Sequence, residues 1–311
     1  MVIVADKRNI SDGLAYNSLQ QVKSSIPIVL VSRVEDLQLN EDILKLDKYV
    51  LVDYVELGWD WDMKFGHIWG SNTELFPQVF RSPDWLKFDE FVKNNPPVIT
   101  FQRELLQKDV TETLVPIVYP CVLPEVPIQT KQEFNNRPIE LMHCWGLSHE
   151  ARKWLHGKIW WKSSNYGYSV CDNLSFFNEF MQQERNHRKW LTLNIPHYAR
   201  QPIETIMLLN GLSKISVSLA GAGRACFRHS ESPLNSAMLM WDDELAWHKD
   251  VWVHNENCIK SDEGVEISAA IEALENPNLY DIYRNGVETL DKFRVNRYIK
   301  EYIEPLINKY A

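Results

Sequence analysis

The residues whose types and spacing point most directly to chemistry lie between Ser213 and Asn235. There an apolar run ends in Gly221 and Gly223 and is followed by Arg224, Arg228 and Glu231. Glycines let backbone N–H groups approach an anion closely, and arginines present rigid forks of donors that grip phosphate oxygens. A strand, a glycine loop and two arginines in that order suit a diphosphate. Glu231 at the mouth of the loop has two readings: it balances the arginine charge, or it accepts from a pair of ribose hydroxyls. Ser232 reads as an N-cap with Pro233 at the first helical position of a helix running to Met240, whose free amides would face the same loop. Asn235 closes the stretch and is counted with the binding residues.

A dinucleotide fingerprint competes with this reading, because Gly221 to Cys226 is one residue short of G-x-G-x-x-G or its alanine variant. In that fingerprint the helix begins inside the glycine motif, whereas Pro233 places the helix start well downstream. The stretch also comes late in the chain. An NAD-type oxidoreductase is therefore the weaker reading.

The same residues carry a family resemblance. Ser213 and Lys214 followed by a strand, then Gly221, Gly223, Arg228 and Glu231, resemble the C-terminal donor motif of exostosin-like glycosyltransferases. The resemblance implies that Arg228 and Glu231 bind a sugar nucleotide. A second fragment, His143 to Gly146 followed by Ser148 and Arg152, resembles the opening βα turn of that donor domain. It implies that Gly146 and Arg152 approach the diphosphate, while an arginine on a helix face is otherwise a solvated surface residue. After Glu231 this chain departs from the family pattern: it reads Met238 to Asp243 where members continue into a small-residue, proline-containing strand. The resemblance spans residues 138–260 and implies the GT-B fold, in which two Rossmann-like domains with parallel sheets face a central cleft.

Sugar transfer needs positive charge against the leaving diphosphate and, where the anomeric configuration inverts, a base for the acceptor hydroxyl. The arginines supply the charge, so neither a cofactor nor a metal is expected. For the base, the resemblance directs attention to loops of the first domain, where Asp12 beside Gly13 and His67 in an aromatic loop are the candidates. Asp12 equally suits an N-cap, and Asp53 with Glu56 is an alternative carboxylate pair. Arg103 and Glu104 follow a strand end and either shape the acceptor side or form an ordinary salt bridge. Asp60 and Asp62 form a D-x-D that falls outside the diphosphate stretch, so it is read as acceptor-side or structural.

These residues need a scaffold, and the pattern of the chain supplies one. Its 311 residues exceed what one core usually supports, which predicts two domains. Apolar runs at Val2 to Asp6, Ile26 to Val31, Tyr49 to Tyr54, Pro97 to Phe101 and Val115 to Tyr119 alternate with helical stretches near Leu14 to Lys23 and Glu35 to Leu46. Residues 56–91 read as irregular. The prolines between Pro120 and Pro138 disfavour regular structure and place the linker. The βα alternation restarts at Ile139 to Cys144 and continues through Trp190 to Ile195, Ile203 to Leu212 and Ile215 to Leu219. The expected divisions are 1–130 as an acceptor-side Rossmann-like domain, 138–290 as the nucleotide-sugar domain, and 291–311 as a C-terminal helix packing across both.

Composition bounds the partners. The formal net charge is −9 and no run of Lys and Arg occurs, which argues against nucleic acid as a general ligand. No signal peptide or membrane segment is read, so a cytoplasmic, soluble protein is expected. The five cysteines are single and widely spaced, and Cys144 beside His143 reads as a buried strand thiol rather than a zinc ligand. The sequence therefore predicts a metal-independent hexosyl- or pentosyltransferase acting on a nucleotide-sugar donor and a glycan or glycoconjugate acceptor. A non-catalytic GT-B scaffold that binds a glycan or nucleotide stands as the alternative.

Overall fold

β-branched and aliphatic runs build two parallel sheets in the computed structural model. It describes residues 1–7, 13–31, 37–54, 83–118, 121, 123–145, 155, 157–159, 168–171, 174–182, 188–194, 203–219 and 228–311. The first sheet contains β1 (Val2–Val4), β2 (Ile28–Val31), β3 (Val50–Asp53), β4 (Ile99–Gln102) and β5 (Leu114–Pro116), in spatial order β1-β2-β3-β4-β5. Every pairing is parallel, with Ile28 opposite Val50 and Val50 opposite Ile99. Strands β2, β3 and β4 are buried along their whole length, which is why they read as continuous apolar runs rather than alternating ones.

Helices α1 (Gly13–Leu19) and α2 (Pro83–Asn94) belong to this half. Pro83 opens α2, a position where its missing N–H costs nothing. Trp85, Phe88, Phe91 and Val92 recur at helical spacing and pack on Val29, Val31 and Leu51, each contributing about 2 kcal/mol of burial. The end of the stretch read as irregular is thus helical from Pro83 to Phe91. The helix expected over Glu35 to Leu46 is instead a 3-10 turn at Ile43–Lys45 among the described residues. Tertiary partners take its backbone: Leu39 N–H donates to the Asp84 carboxylate at 2.8 Å, and Asn40 N–H donates to the Ala5 carbonyl at 2.9 Å.

The second sheet contains β6 (Ile139–Trp145), β7 (Tyr168–Cys171), β8 (Arg188–Asn194), β9 (Ser213–Ser218), β10 (Ala237–Trp241) and β11 (Ile259–Ser261). Its order is β11-β10-β9-β6-β8-β7, again all parallel. The chain places β7 at the sheet edge and β8 between it and β6, then crosses to the other side of β6 with β9. That reversal is the point at which open α/β sheets hold ligands.

The linker region contains α3 (Lys131–Asn135), despite its flanking prolines. A capping box starts it: Thr130 Oγ1 accepts from Glu133 N–H, and Glu133 accepts from Thr130 N–H at 2.8 Å. Further helices are α4 (Phe177–Gln182), α5 (Ile203–Gly211), α6 (Arg228–Glu231), α7 (Ala246–Val251), α8 (Glu266–Glu275) and α9 (Leu279–Asp291). The chain ends in α10 (Val295–Tyr298), a π-helical turn at Ile299–Ile303 and α11 (Glu304–Asn308). Pro305 lacks the N–H that a continuous α-helix would need, and the π-turn precedes it directly.

The helix expected from Pro233 to Met240 is not formed. Pro233 lies in the turn between α6 and β10, and residues Ala237–Trp241 form a strand buried at every position. The reason is the sheet: Ala237, Met238, Leu239, Met240 and Trp241 are apolar without a polar face, and β9 and β11 pair with this run on its two sides. By contact, the chain divides into a unit of residues 1–122, 244–247 and 292–311 and a unit of residues 123–243 and 248–291.

Candidate functional site

In the second unit β9 alternates Ser216, Val217 and Ser218 toward its carboxyl end, leading into residues 220–227. Gly221, Gly223 and Arg224 fall in that connection, outside the described residues. The chain is picked up again at α6, which carries Arg228 and Glu231. Of Arg228 only the backbone is described. Three polar contacts hold α6 and its exit. Asn210 Nδ2 donates to the Glu231 carbonyl at 3.3 Å, Ser216 Oγ meets Ser232 Oγ at 3.2 Å, and Ser236 Oγ donates to the Ser232 carbonyl at 2.8 Å.

His229, buried between Arg228 and Glu231 in sequence, packs against His248 with ring centroids 4.3 Å apart and planes tilted by 39°. His248 is on α7. Its Nδ1–H donates to the Asp243 carboxylate, with both oxygens at 2.8 Å, and Asp243 lies two residues beyond β10. Burial holds the His248 pKa below its ordinary value; the Asp243 carboxylate works against that, while His229 and Lys260 reinforce it. Lys260 Nζ on β11 donates to the His248 carbonyl at 3.2 Å and to Asp242 at 3.3 Å, and Lys249 Nζ donates to Asp242 at 3.0 Å. Burial works to raise the Asp242 pKa, but these two lysines hold it below the ordinary value.

A different cluster organises the amino ends of the same strands. Arg137, two residues before β6, donates from Nη1 to the Ser213 carbonyl at 2.7 Å and to the Asn235 carbonyl at 2.6 Å. Its guanidinium lies 4.6 Å from the Phe134 ring centroid and 4.7 Å from that of Tyr283. Burial draws its pKa down to about 10, with Tyr283 opposing. Asn235 Nδ2 donates to the Met207 carbonyl at 3.4 Å. Asn235 thus sits at the end of the strands opposite to the glycine connection, and its contacts tie α5, β9 and β10 together. The sequence groups it with Glu231 by proximity; the parallel sheet separates them.

In β6 His143 is buried, with Nδ1 3.3 Å from Thr192 Oγ1 of β8, and Cys144 lies in the apolar cluster with Cys171, Leu191 and Phe180. In the first unit Asp53 is buried at the carboxyl end of β3, and its carbonyl accepts from Arg103 N–H at 3.0 Å. Arg103 Nη2 and Glu104 Oε1 form a buried ion pair at 3.2 Å between sequence neighbours. Asp12, His67, Gly146, Arg152, Glu56, Asp60 and Asp62 lie outside the described residues.

No protein-family model and no curated protein sequence matches the chain. Solved structures do. A variant of S. aureus TarM in complex with fondaparinux, alpha-GlcNAc-glycerol and UDP is similar over 95% of this chain and 58% of its own, at 11% identity and a TM-score of 0.53. The pneumococcal O-GlcNAc transferase GtfA, in complex with UDP and GlcNAc, is similar over 96% of this chain and 59% of its own, at 10% identity and a TM-score of 0.52. The N-terminal domain of Candida albicans trehalose-6-phosphate phosphatase is similar over 97% of this chain and 77% of its own, at 10% identity and a TM-score of 0.50.

The chain has the α/β GT-B fold. It spans less than two thirds of the length of TarM and GtfA, and at these identities the likeness concerns the fold. Within the GT-B fold, β9 lies beside the switch strand β6, and α6 is the next described element after it. The sequence alone brings Arg228 and Glu231 to this place. It does not bring His229, His248 and Asp243 together, because their contact requires β9, β10 and α7 to be assembled. The signal present in the sequence is Asp243 at the end of an apolar run with a histidine five residues later. No helix among the described residues is long and apolar enough to cross a membrane.

Proposed function

We propose that the chain transfers a sugar from a nucleotide-sugar donor to a hydroxyl of a glycan or glycoconjugate, without a metal ion. The observation that carries this reading is the pair β9 and α6 beside the switch strand of the second GT-B sheet; the sequence between them carries Gly221, Gly223 and Arg224, and Arg228 starts α6. Backbone amides and arginines there bind the diphosphate and stabilise it as the leaving group. Glu231 accepts from the ribose hydroxyls, and Gly146 and Arg152, which follow β6 in the sequence, approach the diphosphate. Asp12 or His67 in the first half takes the acceptor proton, and the transferred sugar is a hexose or a pentose. The crystals of TarM and GtfA hold UDP, which makes UDP the first nucleotide to test. The cytoplasm is taken as the working compartment.

The test is a thermal-shift screen against UDP, GDP, ADP, CMP, dTDP and NAD, since a ligand that binds only the native state raises its melting temperature. A shift with one nucleoside diphosphate, lost in Arg228→Ala, is the expected result. A shift with NAD alone overturns the reading in favour of a dinucleotide enzyme.

A further inference from the structure

We infer that His229 is a positioning residue for the donor site: its ring, packed at a tilt against a His248 oriented by Asp243, sets the placement of the helix that presents Arg228 and Glu231. The inference rests on the donor-site reading above and adds three residues to it.

The geometry is specific. Helix α6 is only four residues long, too short to hold its own orientation, since a helical turn fixes several dihedrals for a single hydrogen bond. Its placement must come from tertiary contacts. On one side Asn210 holds the Glu231 carbonyl, and Ser216 holds Ser232 at the helix exit. Those contacts secure the carboxyl end of α6. The amino-terminal half, where Arg228 sits, has His229 as its buried neighbour, 2% exposed and in ring contact with His248.

His248 is held in turn. Asp243 receives its Nδ1–H, which fixes the tautomer and the plane of the ring. Lys260 takes the His248 carbonyl from β11, so the backbone under the ring is tied to the sheet. Asp243 lies two residues beyond β10, and the connection 220–227 follows β9, the neighbour of β10 in the sheet. The tilted rings pass orientation from one to the other by direct contact. A phenyl ring at position 229 keeps that contact, and a methyl group does not. The charged and titratable groups acting on His248 are Asp243 from beyond β10, His229 from α6 and Lys260 from β11.

The experiment is calorimetric titration of the full chain with UDP, GDP and ADP, in parallel with melting temperatures. For the nucleotide that binds wild type most tightly, His229→Ala and Asp243→Asn are each expected to weaken affinity about tenfold, on the scale of one lost hydrogen bond to a charged group. His229→Phe is expected to restore affinity to within about twofold of wild type, as the retained ring contact would. A double variant that is no weaker than either single one marks the two as one device. Wild-type affinity in His229→Ala, or failure of His229→Phe to restore it, overturns the positioning role. If wild type itself binds none of the three nucleotides, the donor-site reading falls instead, and this inference with it. Asp243→Asn keeps the side-chain shape, so a melting temperature near wild type with weakened binding separates positioning from folding.

Discussion

Gly211 and Asn235 meet at the amino ends of β9 and β10 so closely that a Cβ on Gly211 would lie 2.5 Å from Asn235 Nδ2. That amide nitrogen already donates to the Met207 carbonyl, and the Asn235 backbone carbonyl is gripped by Arg137. The side chain has nowhere to retreat without giving up a contact. Gly211→Ala is expected to destabilise the protein by about 1–3 kcal/mol through overpacking, despite the better helix propensity of alanine. Urea unfolding measures this, and a midpoint equal to or above wild type would show that Asn235 gives way freely.

Gly286, within α9, faces a harder obstacle, because a Cβ there would lie 2.8 Å from the backbone carbonyl oxygen of Asn257. Asn257 is itself pinned: its side chain bridges the Val253 N–H, the Val251 carbonyl and Thr289. Gly286→Ala is expected to lower the melting temperature more than Gly211→Ala does, since backbone yields less than an amide side chain. Paired melting curves of the two variants decide the order.

Arg137 links the start of β9 and the turn before β10, with its guanidinium between Phe134 and Tyr283. Removing it leaves two buried carbonyls without that donor. Arg137→Ala is expected to cost about 3 kcal/mol or more. Arg137→Lys should recover only part, because one ammonium cannot reproduce the planar fork. Equal urea midpoints for Lys and Arg would show that charge alone matters.

His248 titrates below its ordinary value, with burial as the leading cause. The unfolded chain, with an ordinary imidazole at about 6.5, then takes up a proton before the native protein does. Stability contributed by the neutral, buried ring is complete above that value and is lost progressively as pH falls through it toward the lowered native value. The urea midpoint of wild type should therefore fall below about pH 6.5, and His248→Gln should show a shallower fall. An unchanged acid slope in the variant would assign the pH dependence to other groups.

Burial pushes the Cys258 thiol up to about 12, Lys260 drawing it down slightly and Asp242 raising it. Compared with an ordinary thiol at 9.0, that leaves about a thousandfold less thiolate at pH 8. Iodoacetamide should leave Cys258 unlabelled in the native protein and modify it after urea unfolding, as peptide mapping would reveal. Rapid native labelling would mean that this part of the sheet opens readily.

Much of this protein is legible in its sequence because parallel strands buried on both faces leave continuous apolar runs, as in Ile28–Val31 and Val50–Asp53. The glycine and arginine spacing of Gly221 to Glu231 is equally local, so its place after a strand could be read without coordinates. Tertiary structure decided the rest, because the competing forces were not local. Residues 37–46 gave up a helical pattern when Asp84 and Ala5 offered partners for their backbone, and Met238 to Trp241 became a strand because neighbours on both sides paired with it. Asn235 and Glu231 are four residues apart, yet one ties the amino ends of the strands and the other belongs to the helix after the glycine connection. The His229, His248 and Asp243 cluster exists only once β10 and α7 are packed, because no short-range pattern links residues 14 and 19 positions apart through one ring contact and one hydrogen bond.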